Sequence, residues 1–162
     1  MQPETDKGED TVPISPYLAA LRSKVGSELL LLPSVAVVVR DGEGRLLLVR
    51  DRDSGEWGLP AGAIEPTEAP IEAAHRELRE ETGVASVELV LAAALGGDRF
   101  RHTYPNGDRV EYAIFVYAGT VPSDEATGRT DVEEIAEVRF FARKDAPPLS
   151  LPYPEKVLWG SA

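Results

Sequence analysis

The segment PIEAAHRELREET, Pro70 to Thr82, is the strongest constraint the chain places on its own fold. Both of its ends are marked as helix ends. Pro70 suits the first helical position, and Gly83 suits the left-handed position that follows a last turn. At about 100° per residue, Ile71, Ala74 and Leu78 fall on one stripe. A helix that is apolar along one stripe must lay that stripe on a sheet or another layer. Glu72, His75 and Arg79 point to the opposite, solvated side. Glu77, Glu80 and Glu81 fill a third sector, where Ala73 leaves the space above it open.

The surrounding sequence supplies strands. LLLLPSVAVVVR is apolar and β-branched through Arg40, DGEG at Asp41–Gly44 is a turn, and RLLLVR follows as a second strand. The two are expected to pair as a hairpin. DRDSGEWGLPAG, Asp51–Gly62, reads as a glycine-rich loop ahead of the helix. After it, VASVELVLAAAL reads as a strand, GGDRFRHTYPNGD (Gly96–Asp108) as a loop with the turn dipeptide Asn106-Gly107, and RVEYAIFVYAG as an alternating strand. VPSDEATGRTDVEE is a polar loop, EIAEVRFFA a last strand, and the proline-rich end holds one helical turn near Glu155–Trp159. Near the start, Ser15 and Pro16 open a helix carrying Leu18, Leu21, Arg22 and Val25 at helical spacing, with Gly26 to end it. Residues 1–13 read as a disordered tail and 14–162 as one domain. Strands and helices intermix without strict βαβ alternation, which predicts an α/β sandwich around a mixed β-sheet.

The three carboxylates need a reason. Like charges three or four residues apart cost about 0.2–0.5 kcal/mol per pair, and acids near a helix C-terminus lose about 0.3–1 kcal/mol each to the dipole. A solvated acidic face balanced by Arg76 and Arg79 accounts for the triplet taken alone. A divalent cation seated among the acids accounts for it as well. Cysteine is absent and the histidines are His75 and His102 only, so thiolate and multi-histidine zinc sites are excluded and the ligands would be oxygens. A net charge of −11 argues against stable nucleic-acid binding. No apolar run reaches the roughly 18–20 residues of a membrane span, and the N-terminus has no secretory pattern, so a cytoplasmic protein is expected.

The spacing around the helix discriminates between the two explanations. Gly62, Glu68, Arg76-Glu77-Leu78, Glu80-Glu81 and Gly83-Val84 fill every fixed position of G-x5-E-x7-R-E-U-x-E-E-x-G-U, where U is a bulky aliphatic residue. This resembles the box of the Nudix hydrolase family, and Trp57, Leu59, Pro60 and Gly62 match the W-x-LP-x-G that commonly precedes it. The resemblance implies a Nudix-type α/β/α sandwich with the box as loop, helix and loop. Glu77 and Glu81 would be principal ligands of Mg²⁺ or Mn²⁺, with Glu80 a further ligand or the base. The Ala61 carbonyl would add a ligand, and Glu65 would reach a second metal. Glu68 and Arg76 would pair structurally. Two departures stand out. Ala61 replaces a usual glycine, and Thr67-Glu68-Ala69 replaces Gly-Glu-Ser/Thr, so the helix lacks its N-cap hydroxyl.

The implied reaction is metal-dependent hydrolysis of a nucleoside diphosphate linked to another group: an NTP or dNTP, a dinucleoside polyphosphate, a nucleotide sugar or ADP-ribose. Glu80 is the first choice of base, with Glu125, Glu133 and Glu134 as rivals. Arg50, Arg52 and Arg101 are candidates for phosphate, and Trp57 and Tyr104 for stacking on a base, although Trp57 also fits as a plug in the sheet edge. The alternative is a non-catalytic nucleotide sensor of the same fold. A homodimer is an expectation by analogy with the family.

Overall fold

The structure, a computed structural model, describes residues 14–122 and 133–160. Helix α1 (Pro16–Val25) leads into strand β1 (Leu30–Arg40), followed by β2 (Leu46–Asp51), β3 (Trp57–Gly58) and β4 (Ala61–Ala63). Helix α2 (Pro70–Thr82) precedes β5 (Val90–Leu95), a 3₁₀ turn at Asp98–Phe100, β6 (Arg101–Thr103) and β7 (Arg109–Thr120). Strand β8 (Ile135–Phe141), a second 3₁₀ turn and helix α3 (Glu155–Trp159) complete it. Residues 1–13, expected to be a disordered tail, and 123–132, which include Glu125, lie outside the described residues.

β1 is the hub. It runs parallel to β7 from Leu30 opposite Val110 to Arg40 opposite Thr120. β5 and β6 pair antiparallel with β7. The expected β1–β2 hairpin shrinks to one position, Arg40 opposite Leu46. The reason is competition for an edge. β4 takes the other edge of β1 at Ser34–Ala36, and the Val37 amide donates to the Pro60 carbonyl at 2.9 Å. β2 therefore turns away and pairs with β8 over Leu46–Asp51, and with β3. The sheet divides where β1 and β2 part.

The turn between them is closed by one buried carboxylate. Asp41 is 3% exposed and accepts from the amides of Glu43 and Arg45 at 3.0 and 2.9 Å and from Arg45 Nε at 2.7 Å. Burial opposes its ionisation, but these donors outweigh that and hold its carboxyl below the usual range.

Each face of the sheet is covered, as the sandwich expectation requires. Val35, Val37 and Val39 pack with Ala73, Ala74 and Leu78 of α2. On the other face Ala36, Val38, Ile114 and Val116 pack with Phe100, Tyr153 and Leu158, so the proline-rich C-terminal segment is the second cover. The arrangement is the mixed α/β sandwich expected.

Three local features go beyond the sequence reading. Ala73 is fully buried in the core, not beneath open space, because its small side chain lets α2 approach the sheet closely. Thr82 is fully buried too, its hydroxyl donating to the Leu78 carbonyl at 2.6 Å and accepting from Val84 N at 3.2 Å. The stretch Gly96–Asp108 holds a 3₁₀ turn and β6 where a loop was expected. α1 has the predicted Ser15 cap, Leu18 N to Oγ at 3.2 Å, but buries none of its residues.

Candidate active site

β4 brings the loop before α2 against the helix. Val35 and Gly62 are directly opposite, so Gly62 shares the face of β1 that α2 covers. A Cβ on Gly62 would stand 2.2 Å from the Glu77 carboxyl carbon. The glycine is there for a close approach, and it gives Glu77 its seat.

Arg76 organises the acids. Nε and Nη2 donate to the two oxygens of Glu68 at 2.6 and 3.0 Å, Nη1 to Glu77 Oε1 at 2.7 Å and to Glu80 Oε2 at 3.4 Å, and Nη2 also to the Ala63 carbonyl at 3.1 Å. Arg76 holds Glu68 below the usual carboxylate range, against the cost of burial. Glu68 also accepts from the Glu65 amide at 3.0 Å, so the expected Glu68–Arg76 pair does brace loop against helix. The backbone beside the brace is strained. Thr67, at φ 72°, is in the left-handed region that favours glycine. Helix α2 then starts at Ala69 without a hydroxyl cap. Glu72 Oε2 accepts from Ala69 N at 2.8 Å, and Gly83, at φ 78°, donates to the Arg79 carbonyl at 2.9 Å.

Glu77 and Glu81 are the two acids turned inward. Burial pushes Glu77 up to about 7, the charges of Glu80 and Glu68 add to this, and Arg76 opposes it. Burial raises Glu81 well above the carboxylate range, reinforced by Glu77, while the Ala61 amide donating at 3.2 Å opposes the rise. Two neighbouring half-buried carboxyls, Glu77 with Arg76 on one oxygen and Glu81 with only the Ala61 amide beside it, form an oxygen-only donor set. Among the described residues no group of three or more acids and histidines stands ready to enclose an ion without rearrangement. Glu80 is more open, at 42% side-chain exposure.

The rival bases separate. Glu134, ahead of β8, is raised by burial and by the charges of Asp51, Asp53 and Glu80, and its own charge acts on Glu81, so it stands beside the acid cluster. Glu133 is exposed. The Arg52 amide donates to the Glu134 carbonyl at 2.7 Å and its Nη2 to the Ile135 carbonyl at 3.3 Å, which ties Arg52 to the same corner.

The other proposed substrate contacts are engaged by the protein itself. Arg50 lies 3.3 Å from Glu137 and 5.9 Å from the Trp57 ring centre. Arg139 lies 5.5 Å from that ring, and Phe141 meets it edge-on at 4.9 Å. Trp57 thus packs among Arg50, Arg139 and Phe141 at the sheet edge, and is partly exposed. Arg101 pairs with Glu111 at 2.6 Å. Tyr104 is 36% exposed and its hydroxyl is 2.5 Å from that of Tyr112. Tyr112 and Tyr153 are absent from the sequence expectations. Alternation in β7 placed Tyr112 on one face, but nothing in the sequence said which face carries the site.

Sheet, helix and acid pattern together define a protein of Nudix fold. A model of the NUDIX domain matches residues 30–158. An RNA pyrophosphohydrolase of Novosphingobium aromaticivorans is 30% identical over 140 residues, 77% of this chain and 86% of that protein. One from Halorhodospira halophila is 37% identical over 62 residues, 38% of this chain and 34% of its own length. A putative ADP-ribose pyrophosphatase of Bacillus subtilis is 32% identical over 108 residues, 67% of this chain and 49% of its own. The last two are thus matched over less than half their length. The structure of a MutT NUDIX hydrolase from Burkholderia pseudomallei superposes with a TM-score of 0.59 at 25% identity, covering 75% of this chain and 91% of that one. The NUDIX domain of Shewanella oneidensis NrtR, crystallised with ADP ribose, gives 0.59 at 20% identity over 83% and 88%, a likeness of fold. The chain belongs to the Nudix hydrolase family, whose members act on acid anhydrides. No helix among the described residues is long and apolar enough to cross a membrane.

Proposed function

We propose that the chain is a divalent-cation-dependent pyrophosphohydrolase that cleaves the phosphoanhydride of a nucleoside diphosphate linked to a further group. The observation that carries this is the pairing of Glu77 and Glu81, two half-buried carboxyls received on one helix side by the space over Gly62 and by the Ala61 amide. Their burial and oxygen-only chemistry fit Mg²⁺ or Mn²⁺. Glu77 and Glu81 would hold the ion, joined by the Ala61 carbonyl and by Glu80 where it is not the base, with Glu65 available to a second. The bound ion supplies charge neutralisation at phosphate oxygens and a more acidic water.

The chain's own residues do the rest. Arg76 orients Glu77 by donating to its Oε1, so the carboxylate presents its other oxygen. Glu80 takes the proton of the attacking water, and Glu134, beside it, is the alternative base. Arg52 lies at the same corner to meet phosphate charge.

The test is hydrolysis of dNTPs, NTPs, nucleotide sugars, ADP-ribose and diadenosine polyphosphates with Mg²⁺ or Mn²⁺, wild type against Glu81→Gln. The expected result is turnover that falls at least 100-fold in the variant. No turnover by wild type on any member, with nucleotide binding retained, would establish the sensor reading instead.

A further inference from the structure

Strand β5 ends the sheet. It pairs antiparallel with β7, from Val90 opposite Ala118 to Leu95 opposite Ile114, and among the described residues its other edge has no partner strand. Every residue from Val90 to Leu95 is apolar. Val90 and Leu91 are 60% and 57% exposed, and Ala92 and Ala94 are exposed as well. A register shift between Leu91 and Ala93 sets Leu91 and Ala94 opposite Tyr117 and Phe115, on the α2 side of the sheet. Val90 lies opposite Ala118, on the side of the C-terminal segment. Apolar side chains are thus exposed on both faces of β5, and both covering layers stop short of it.

A row of unpaired N–H and C=O groups accepts other strands, so edge strands are ordinarily protected by lysine, proline, an inward charge, a bulge or a covering element. Val90–Leu95 has no charge and no proline, and the shift at Ala92 is its one irregularity. Such an edge calls for a strand that is apolar on both faces, and a second β5 is one. Copies of a chain of net charge −11 repel one another, and the uncharged run is where they approach at least cost. The two ends of the strand carry opposite charge. Glu88 stands before it and Arg99 after it, both exposed and, among the described residues, in no ion pair. A two-fold axis sets the start of one strand beside the end of the other, so Glu88 meets the partner's Arg99 and the contact is made twice.

We propose that β5 is a homodimerisation edge, against which a second copy of this chain lays its own β5 antiparallel about a two-fold axis, continuing the sheet from one molecule into the next. With Glu88, Arg99 and the backbone edge, the strand offers roughly 500 Å² per copy, so the symmetric pair reaches about 1,000 Å², where specific interfaces begin. β4, which receives the acids of α2, lies on the opposite edge of β1, with β7 between β1 and β5. Pairing at β5 therefore leaves both acid clusters open.

The test is sedimentation equilibrium of the full chain from about 1 to 100 µM, a range that brackets micromolar affinity. Wild type is compared with Leu91→Lys, Glu88→Arg, Arg99→Glu and the double reversal Glu88→Arg/Arg99→Glu. All three positions are exposed, and thermal melts followed by circular dichroism check that each variant is folded. The expected result is a reversible monomer–dimer equilibrium for wild type, with no larger species. Leu91→Lys, which puts a charge on the edge, is monomeric throughout. Each single reversal weakens the dimer about 10-fold, and the double reversal returns it to within about 3-fold of wild type. A monomeric wild type, open-ended assembly, a Leu91→Lys dimer as tight as wild type, or a double reversal no tighter than the single ones overturns the proposal. The readout needs no turnover, so it stands or falls apart from the hydrolytic reading.

Discussion

Removing Arg76 tests whether the acid-bearing loop is held to the helix by one guanidinium. Arg76→Met keeps most of the stem and deletes the hydrogen bonds to Glu68, Glu77, Glu80 and Ala63. Glu68 and Glu77 are left with side chains 15% and 14% exposed and no cation. Breaking a buried pair from one side costs about 3–5 kcal/mol. Arg76 is 26% exposed and water can reach the vacated space, so the expected loss is about 2–4 kcal/mol. For a chain of this size that is a fall in Tm of roughly 4–15 °C. The assay is equilibrium urea unfolding with a parallel thermal melt, both with a chelator so that no added ion screens the acids. Arg76→Lys keeps the charge but not the fork, and should lose about half as much. Adding Glu68→Gln to Arg76→Met should recover part of the loss, because one uncompensated charge is gone. An Arg76→Met protein within about 0.5 kcal/mol of wild type, or a strictly additive double variant, would refute the brace.

Gly62→Ala should displace the Glu77 carboxylate, since the new Cβ would stand 2.2 Å from its carboxyl carbon. Activity on the best substrate of the panel should fall at least 10-fold, while thermal unfolding moves by a few degrees at most. Thr67→Gly should stabilise by about 1 kcal/mol in urea unfolding, because it relieves a left-handed φ of 72° without removing a hydrogen bond known to hold the loop. Asp41→Asn should be destabilising at pH 7. The folded-state pKa of Asp41 lies below its unfolded value, so its contribution is full above about pH 4 and disappears as pH falls through the depressed value. Urea midpoints for wild type and variant from pH 7 to pH 2.5 should therefore converge only at the acid end.

The spacing of Glu68, Arg76, Glu77, Glu80 and Glu81 was legible in the sequence because a helix converts spacing directly into direction. The strands were legible for a similar reason, alternation or an apolar run. What the sequence did not show was partner choice. LLLLPSVAVVVR and RLLLVR, joined by DGEG, carry every local sign of a hairpin, yet they meet at one position. The deciding contact, Ala61–Ala63 on the edge of β1, comes from three small residues with no strand signal of their own. Tyr153 was hidden for the same reason. Its segment is proline-rich and carries no period, so its place against the sheet follows only from the face left open by β7 and β1. Arg50 and Trp57 looked like substrate contacts because arginine and tryptophan are suited to phosphate and bases. Their actual neighbours, Glu137 and Arg139, arrive from β8, far along the chain.

The division of the sheet is what makes room for the acids. Had β2 filled the edge of β1 as a hairpin, backbone hydrogen bonding along Ser34–Val37 would have been satisfied by a long strand carrying Leu and Val side chains toward α2. β4 satisfies the same edge with Ala61-Gly62-Ala63, and Gly62 contributes no side chain toward the helix at the point where Glu77 must be received. The Ala61 amide meets Glu81, and the Ala63 carbonyl meets Arg76, so one three-residue strand contacts both the inward acid and the brace. The cost is a poorly supported approach to the helix, with Thr67 strained and Ala69 uncapped. Arg76 offsets that cost by binding the loop at Glu68 and Ala63 while turning Glu77. Loop stability and the presentation of Glu77 are therefore coupled through a single side chain. Arg76→Lys should thus lower kcat by a larger factor than it lowers the population of folded protein under assay conditions. If activity fell only in proportion to folded protein, the brace and the orientation of Glu77 would be separate functions.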